Sequence, residues 1–594
     1  MYKLSPYSRI IEKSIAYLLL FLAVGMLLVL IWGLNKGFDF SDEGFALLGI
    51  THPADMHPGG LYQWPFYYLF HWFNPGLLFY RSLRILLLLL SVGFLFNSLS
   101  HYFESIYLPL NNLHKIVLLS LLCIGISSSY SIYAGMLGYN SITLIIGLLI
   151  SSIYIELLIK KAKTPFLNLV VLASILCTYE FFCRFPTAIP LLVLSIFFIC
   201  ISPQKIILKL WALLLYIGST CLFFIAYIEL FYAGTLFQYY NDYNQIIALM
   251  EHHNASKLIE MYRNSFNYTY EHAVVYHYKL FFALLFGTIL ARIFEEKSYI
   301  KYSILGIQFL VLLKYAFIII EQKQYISGIV YNYVALEPYI FLGLSFISIN
   351  IFYLSLSIKK IIQITILVLF FWGITFISVI GTNNELPLQC LQYLIFWFVI
   401  LFIFYRLNAA NKYLRYVNSI FIVFIVILSF SQSYTGFVQH PYRINSTLSA
   451  AKIHFKNKHL THIYTDSIMQ SSLEQVEKII TQSNRSKEPL QFIDFCKVPG
   501  MVYALDGYTP RNAWMSAGTP QLNTYIFNST KVLFAPDYIL LPSISPNQKE
   551  IDEYFSTINI DIPTQYLFLD SVQHPLYHYK PMPTTYQIMI YKRL

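Results

Sequence analysis

The chain has 594 residues, of which 57% are hydrophobic and only 12% are charged. Soluble globular proteins carry about 25% charged residues, so this composition excludes an ordinary soluble fold and predicts a membrane protein. The net charge of +10 comes mostly from Lys and Arg in short segments between apolar runs. That placement indicates membrane topology and argues against a nucleic-acid partner.

The hydrophobic residues form runs of the length that crosses a bilayer, which takes about 20 residues in a helix. The first run, 14–34, carries no charge and is followed by no small-residue cleavage pattern, so we predict a retained anchor rather than a signal peptide. In all, the sequence predicts an α-helical polytopic membrane protein with about 13 transmembrane helices, at 14–34, 82–103, 115–134, 141–159, 165–183, 186–202, 208–231, 279–293, 302–320, 334–356, 361–380, 388–405 and 416–434.

Basic residues set the predicted orientation, because cytoplasmic loops carry an excess of Lys and Arg. A cytoplasmic N-terminus puts every basic cluster between runs on the cytoplasmic side, at 160–163, 205–209, 292–301, 359–360 and 406–415. With an odd number of spans, the C-terminal region then lies outside the cytoplasm. We therefore predict a multi-pass protein of the cell (inner or plasma) membrane, with external loops at 35–81 and 232–278.

The part of the chain at 435–594 is polar and alternates strand-like with helix-like pieces. This pattern predicts a soluble extracytoplasmic α/β domain that follows a transmembrane domain at 1–434. We predict strands at 462–465, 491–495, 537–541, 565–569 and 585–592, helices at 467–482 and 546–556, and a loop leading into a strand and turn at 499–507. No GxGxxG or GxxxxGK[ST] pattern occurs there, so no nucleotide site is predicted.

Two adjacent carboxylates, Asp42 and Glu43, follow the first apolar run, ahead of an amphipathic stretch that we expect along the membrane interface. A carboxylate in that position is suited to accept a proton from a sugar hydroxyl as a general base. The alternative is a solvated loop in which Ser41 or Asp42 caps a helix.

This acidic segment, the His57-Pro58 pair after it, and Tyr80-Arg81-Ser82-Leu83-Arg84 at the start of the second run resemble the GT-C superfamily of polyprenyl-phosphate-sugar glycosyltransferases. The similarity is closest to the branch of lipid A aminoarabinose transferases and protein O-mannosyltransferases. Members of that branch have many spans and commonly an extracytoplasmic C-terminal domain. The similarity in motifs covers residues 37–104.

By this resemblance, Asp42 is the residue that contacts or deprotonates the acceptor, and Glu43 is its catalytic-site neighbour. Family members often carry another Asp in the second external loop, where this chain has Tyr139 and Asn140. Asn140 can hydrogen-bond a sugar but cannot act as a base, so both residues are substrate-binding candidates, together with His57. The resemblance also implies a polyprenyl-phosphate sugar donor, membrane lipids as surroundings, and a lipid, glycan or protein acceptor.

A departing polyprenyl phosphate needs cations or oriented donors to stabilise its charge. The candidates for binding the donor phosphate are Arg81, Arg84 and Arg184. Arg184 lies between two apolar runs, where a charge is costly and indicates a function. The alternatives are snorkelling of each arginine to the headgroups and, for Arg184, pairing with Glu180 on one helix face.

Some members of the GT-C superfamily use a metal ion, so the resemblance allows a divalent cation as a cofactor. The external histidines match no known ligand spacing, and the seven cysteines include no CxxC pair, so we assign no metal-binding residue.

These features predict a glycosyltransferase that moves a hexosyl or pentosyl group from a polyprenyl-phosphate donor on the extracytoplasmic face, with inversion and with Asp42 as base. One alternative is a transporter or flippase of lipid-linked saccharides, against which stand the absence of an inverted repeat and the long polar tail. Another is a polysaccharide polymerase or ligase, which differs only in the acceptor.

Overall fold

The structure is a computed structural model. It describes residues 6–594 with these gaps: 56–57, 74, 107, 131–134, 161, 233, 250–254, 272–274, 276, 295, 322–332, 352–357, 382–385, 410, 445, 484–488, 510–535, 545–547 and 576–585.

The first three quarters of the described chain are helical, and each of the 13 predicted runs overlaps a helix. The helices are α1 (Pro6–Gly33), α2 (Asp42–Thr51), α3 (Trp64–Phe70), α4 (Leu77–Ser105), α5 (Asn112–Ser127), α6 (Tyr139–Ile159), α7 (Lys163–Cys183), α8 (Phe185–Ile201), α9 (Ile206–Phe231), α10 (Leu236–Leu249), α11 (Ala255–Tyr270), α12 (Tyr278–Ile293), α13 (Ser298–Glu321), α14 (Glu337–Ile351), α15 (Ile358–Ile377), α16 (Leu386–Cys390), α17 (Ile395–Leu407) and α18 (Lys412–Tyr434).

Nine helices in the described ranges are long and apolar enough to cross a membrane, which makes the chain an α-helical membrane protein. They lie in α1, α4, α5, α6, α7, α9, α13, α15 and α18. Two further apolar helices, α8 and α17, have only 17 and 13 residues. Four of the 13 predicted spans, on α8, α12, α14 and α17, are not among these nine helices. The number of 13 spans therefore stays a prediction.

Contacts between helix ends show that α1 runs parallel to α18 and that α4 runs parallel to α6. At one end, Glu12 of α1 pairs with Arg415 of α18 at 3.1 Å, and Glu156 at the end of α6 pairs with His101 of α4 at 2.8 Å. At the other end, Tyr227 of α9 donates a hydrogen bond to a carbonyl of the 35–81 segment. We call this second end, which carries that segment, the loop face.

The C-terminal part of the chain contains the strands, at the positions that the sequence predicts, together with two strands too short to predict. They are β1 (Ile453–His454), β2 (Tyr464–Thr465), β3 (Leu490–Asp494), β4 (Gly507–Tyr508), β5 (Tyr538–Pro542), β6 (Tyr566–Gln573) and β7 (Gln587–Arg593). The main sheet has the order β4-β3-β5-β7-β6, in which β3 is parallel to both of its neighbours and β7 is antiparallel to both of its own.

Four helices accompany this sheet: α19 (Ser467–Gln482), α20 (Pro499–Ala504), α21 (Gln548–Thr557) and α22 (Ile562–Gln565). In the segment 499–507, predicted as a loop leading into a strand and turn, residues 499–504 are instead helical, because Pro499 occupies the first turn of α20, where its fixed φ and missing N–H favour a helix start. A turn at 505–506 leads from α20 into β4.

The first loop and the C-terminal sheet share one hydrophobic core. Phe38, Phe40 and Leu47 from the loop are buried in the same cluster as Phe492 and Met501 from the sheet region. In the stretch after Glu43, α2 therefore packs against protein, whereas α3 has no buried residue, and a position of this stretch along the membrane interface stays a prediction. Most of α2 is buried, because its apolar residues pack against the C-terminal region rather than against lipid.

Two glycines allow α2 and α20 to approach each other at the backbone. A Cβ atom on Gly44 would clash with the backbone nitrogen of Gly500, whose N–H donates a 2.7 Å hydrogen bond to the carbonyl of Phe40. A Cβ atom on Gly500 would in turn lie 2.8 Å from the Cα of Phe40. The close fit fixes the C-terminal region directly on the acidic segment.

Replacing Gly44 with Ala should therefore loosen this junction. We expect Gly44→Ala to lower the free energy of unfolding by about 1–3 kcal/mol and to raise protease cleavage of the C-terminal region, because backbone atoms cannot move aside. Gly93→Ala on α4 is the matched control, since nothing lies within 4 Å of its added Cβ. Equal stability of the two variants would show that the close approach is not required.

Candidate active site

The carboxylates of the acidic segment accept hydrogen bonds from backbone N–H groups of the same segment, at the start of α2. The Asp39 carboxylate accepts the N–H groups of Ser41 at 2.8 Å and Asp42 at 3.0 Å. The Glu43 carboxylate accepts the N–H of Asp39 at 3.1 Å. Asp39, rather than Ser41 or Asp42, thus caps the helix start, where the free N–H groups favour negative charge.

Glu43 and Arg81 form a buried two-point ion pair. The Nε of Arg81 lies 2.9 Å from Oε1 of Glu43 and its Nη2 lies 2.5 Å from Oε2, with only 4% and 1% of the two side chains exposed. Arg81 also donates to the carbonyls of Leu34, Lys36 and Gly37 at 2.8–3.1 Å. These contacts give both residues a positioning role, and binding of a donor phosphate by Arg81 and catalysis by Glu43 stay predictions.

Asp42 is the carboxylate of this segment that reaches the surface. Its side chain is 31% exposed, and Nη1 of Arg443 donates a hydrogen bond to its Oδ1 at 3.0 Å. The same nitrogen donates to the hydroxyl of Ser41. Arg443 lies just after α18, so the C-terminal region orients the side chain that the sequence predicts as base.

Charges from both parts of the chain act on this segment. The pKa of Asp39 is raised to about 7, chiefly by burial and then by the neighbouring charge of Asp42, while the charge of Arg443 acts against the shift. Lys497, in the turn between β3 and α20, has a lowered pKa because of desolvation and then Arg443, whereas Asp42 acts in the opposite direction. Two cations of the C-terminal region therefore act electrostatically with Asp42.

Arg184 is buried at the break between α7 and α8, where it joins three other parts of the bundle. Its guanidinium donates hydrogen bonds to the side-chain oxygen of Asn140, the carbonyl of Ser378 and the hydroxyl of Tyr393. The guanidinium carbon also lies 5.1 Å from the ring centroid of Tyr139. We call these five residues the Arg184 cluster. The partners named here are neutral groups.

Tyr139 connects the Arg184 cluster with Asp42. Its side chain is 40% exposed, and the charges of Arg184 and Asp42 both act on its hydroxyl. Burial raises the pKa of Tyr62, and Tyr139 and Asp42 act in the same direction. Tyr62 therefore lies near both of them. The structure thus brings Tyr139, Asn140 and Arg184 into contact, and Asp42 lies within electrostatic range of Tyr139.

Arg84 lies deeper, between the two groups. Its guanidinium carbon is 3.9 Å from the ring centroid of Tyr130, and Nη2 donates to the carbonyl of Ser129 at 3.0 Å. Arg84 acts electrostatically with both Glu43 and Tyr393. Its burial at 1% exposure keeps it from the surface, so phosphate binding by Arg84 stays a prediction.

An apolar cavity of about 330 Å³ is lined in part by the two segments that carry Ser378 and Tyr393. Phe376 and Trp397 line it, two residues before Ser378 and four residues after Tyr393. The rest of the lining is also apolar, with residues from α11, α14, α15, α17 and α18. An apolar space of this kind suits the hydrocarbon tail of a lipid.

His57 lies outside the described residues, so its predicted substrate contact stays a prediction. In the described part of the chain, no group of three or more His, Cys, Asp or Glu side chains is placed to hold a metal ion.

Searches against protein-family models, curated proteins and solved structures find no match for this chain. The GT-C resemblance therefore rests on the residues quoted from the sequence.

Sequence reasoning did not assign Asp39 or Arg443 to the site. A usable signal was present, because Asp39, Asp42 and Glu43 place three carboxylates within five residues. Such a density of negative charge requires cations nearby if the segment is buried. Arg81 follows the segment closely in sequence, but Arg443 lies 401 residues from Asp42.

A double-mutant cycle tests the positioning role of the buried pair. Glu43→Gln and Arg81→Gln should each lower the free energy of unfolding by about 3–5 kcal/mol, because each leaves a buried charge without its partner. The double variant should lose much less than the sum of the two.

The control cycle uses Lys456 and Glu474, which pair at 2.8 Å on the surface with 77% and 39% of their side chains exposed. Its coupling energy should be below about 1 kcal/mol. Additive effects at Glu43 and Arg81 would contradict the positioning role.

Proposed function

We propose that this protein is a membrane glycosyltransferase that takes a sugar from a polyprenyl-phosphate donor and transfers it at the loop face, which we place outside the cytoplasm. The observation that carries the proposal is the position of a half-buried carboxylate, Asp42, at the same end of the bundle as a buried cation, Arg184, and an apolar cavity. A base, an anion-stabilising group and space for a lipid chain are the parts that this reaction needs.

In the proposed reaction, the carboxylate of Asp42 accepts the proton of an acceptor hydroxyl. The hydroxyl oxygen then forms a bond to the anomeric carbon, and the bond between that carbon and the phosphate oxygen breaks with inversion. The electron pair leaves with the polyprenyl phosphate. Arg184 stabilises the added charge, and its hydrogen bonds to Asn140 and Tyr393 fix its position before reaction.

Two other contacts support this assignment of roles. Arg443 holds one oxygen of Asp42 in place, so the carboxylate has a defined direction before an acceptor arrives. Tyr139 contacts Arg184 through its ring and is 40% exposed, and an exposed tyrosine ring is of the kind that contacts sugars. The acceptor and donor would then meet beside Tyr139.

The base is tested by Asp42→Asn in protein purified into lipid nanodiscs. Transfer of labelled sugar and release of polyprenyl phosphate should fall about 10²–10⁴-fold, while the thermal unfolding midpoint changes little. Asp570→Asn, the same chemical change at an exposed position of β6, should keep full activity. Full turnover by Asp42→Asn would remove Asp42 from the mechanism.

The same protein reconstituted into closed liposomes separates the enzyme from a transporter. A flippase would move the lipid-linked saccharide between leaflets without breaking its sugar–phosphate bond, so an unchanged donor that has crossed the bilayer would support that alternative.

The lipid cavity is tested by Gly343→Leu. Gly343 lines the cavity, and nothing lies within 4 Å of an added Cβ, so a leucine side chain should occupy part of the space without disturbing the helix. We expect KM for a long-chain donor to rise about tenfold, which corresponds to about 1.4 kcal/mol of binding.

A donor with only two isoprene units should be affected much less. Gly306→Leu, also with open space around its Cβ but outside the cavity, is the matched control. An equal effect on long and short donors would show that the cavity does not hold the chain.

A further inference from the structure

A second cavity lies at the junction of α1, α4 and the C-terminal region. It is open to the surface, has a volume of about 750 Å³, and shares no lining residue with the apolar cavity. Its lining residues are Ile31, Trp32, Leu34, Asn35, Lys36, Leu78, Ser82, Ala451, Lys452 and Tyr464. The ends of two candidate membrane spans and a short hairpin of the C-terminal region therefore form its walls.

The polar side of this cavity is positively charged. The Nζ of Lys36 lies between two rings, 4.7 Å from the centroid of Trp32 and 5.2 Å from that of Tyr464. Cation–π contacts of this kind hold an ammonium group while leaving its charge in place. Lys452, also in the lining, is exposed, and Lys36 donates to the carbonyl of the residue before it, Ala451, at 3.5 Å. The lining thus carries two lysines, of which Lys36 is held in place by its contacts.

The other side of the cavity continues into apolar surface. Leu28 and Ile31 on α1 and Leu86 and Leu90 on α4 are all exposed, and both helices are candidate spans. Trp32, also exposed, lies at the end of α1, where tryptophan is typical of the boundary between lipid and water. The charged part of the cavity therefore lies at headgroup level, directly beyond surfaces that face hydrocarbon.

We propose that this cavity binds an anionic phospholipid. The phosphate lies between Lys36 and Lys452, and the acyl chains lie along the exposed faces of α1 and α4. The positive charge of the lysines is complementary to a lipid phosphate, and the cavity lies at headgroup level beside apolar helix faces. Both features favour a membrane lipid over a soluble anion. The proposal does not depend on the glycosyltransferase assignment.

A lipid in this position would stabilise the connection between the membrane helices and the C-terminal region. The backbone at 35–37 pairs with Tyr464, through hydrogen bonds of 2.7 Å from Gly37 N–H to the Tyr464 carbonyl and from Tyr464 N–H to the Asn35 carbonyl. Arg81 binds the carbonyls of Leu34 and Lys36 from the other side. Lipid binding should therefore raise the unfolding temperature of the whole chain.

The experiment compares lipids added to the full-length protein in a neutral detergent, with affinity measured by native mass spectrometry and by the rise in unfolding temperature. Phosphatidylglycerol should bind more tightly than phosphatidylcholine. The double variant Lys36→Gln, Lys452→Gln should lose about 25-fold in affinity for phosphatidylglycerol, about fivefold for each lysine.

The matched control is Lys478→Gln, Lys549→Gln, which makes the same charge change at exposed positions of α19 and α21 and should retain the wild-type affinity. Lys36→Arg keeps the charge and should retain most of the binding. Lys452→Gln alone changes only an exposed side chain, so its expected fivefold loss serves as a test if the double variant is unstable.

Three results would overturn the proposal. They are equal loss of affinity in the control pair, equal binding of phosphatidylglycerol and phosphatidylcholine, and binding of glycerol phosphate or inorganic phosphate as tight as that of phosphatidylglycerol. The last result would identify a site for a soluble anion.

Discussion

The buried pair of Arg81 and Glu43 is the interaction on which the loop face depends. One guanidinium neutralises the carboxylate at the start of α2 and binds the three carbonyls that lead out of α1. Two buried charges are costly unless each is paired and hydrogen-bonded, so this geometry strongly disfavours other conformations of the segment. With Glu43 held inward, the preceding carboxylate, Asp42, is the partly exposed one, and it pairs with Arg443.

This arrangement explains why the C-terminal region belongs to the site. The hydrophobic core of the acidic segment is completed by side chains of the sheet region, and the backbone contact between Gly44 and Gly500 leaves no gap between them. Arg443 and Lys497 then add positive charge next to Asp42. We infer that substrates meet this surface at the boundary between the membrane helices and the C-terminal region.

Much of the fold could be predicted from local patterns, because apolar runs and alternating segments determine helices and strands directly. The helix Ser467–Gln482 has the bounds expected from its sequence. The burial of α2 could not be predicted, since an apolar helix face looks the same whether it meets lipid or another part of the chain. Likewise, the grouping of Asn140 and Arg184 was a hypothesis from topology, whereas the contacts of Arg184 with Ser378 and Tyr393 require the tertiary packing of α15 and the residues before α17.

The central claim is that an anionic lipid head binds beside Arg184 with its chain in the apolar cavity. A cryo-electron microscopy structure of the protein in nanodiscs with polyprenyl phosphate tests it most directly. We predict density for the phosphate within ion-pair distance of the Arg184 guanidinium and for the first isoprene units against Trp397 and Phe376. A phosphate bound away from Arg184, with the cavity filled by protein side chains, would contradict this account.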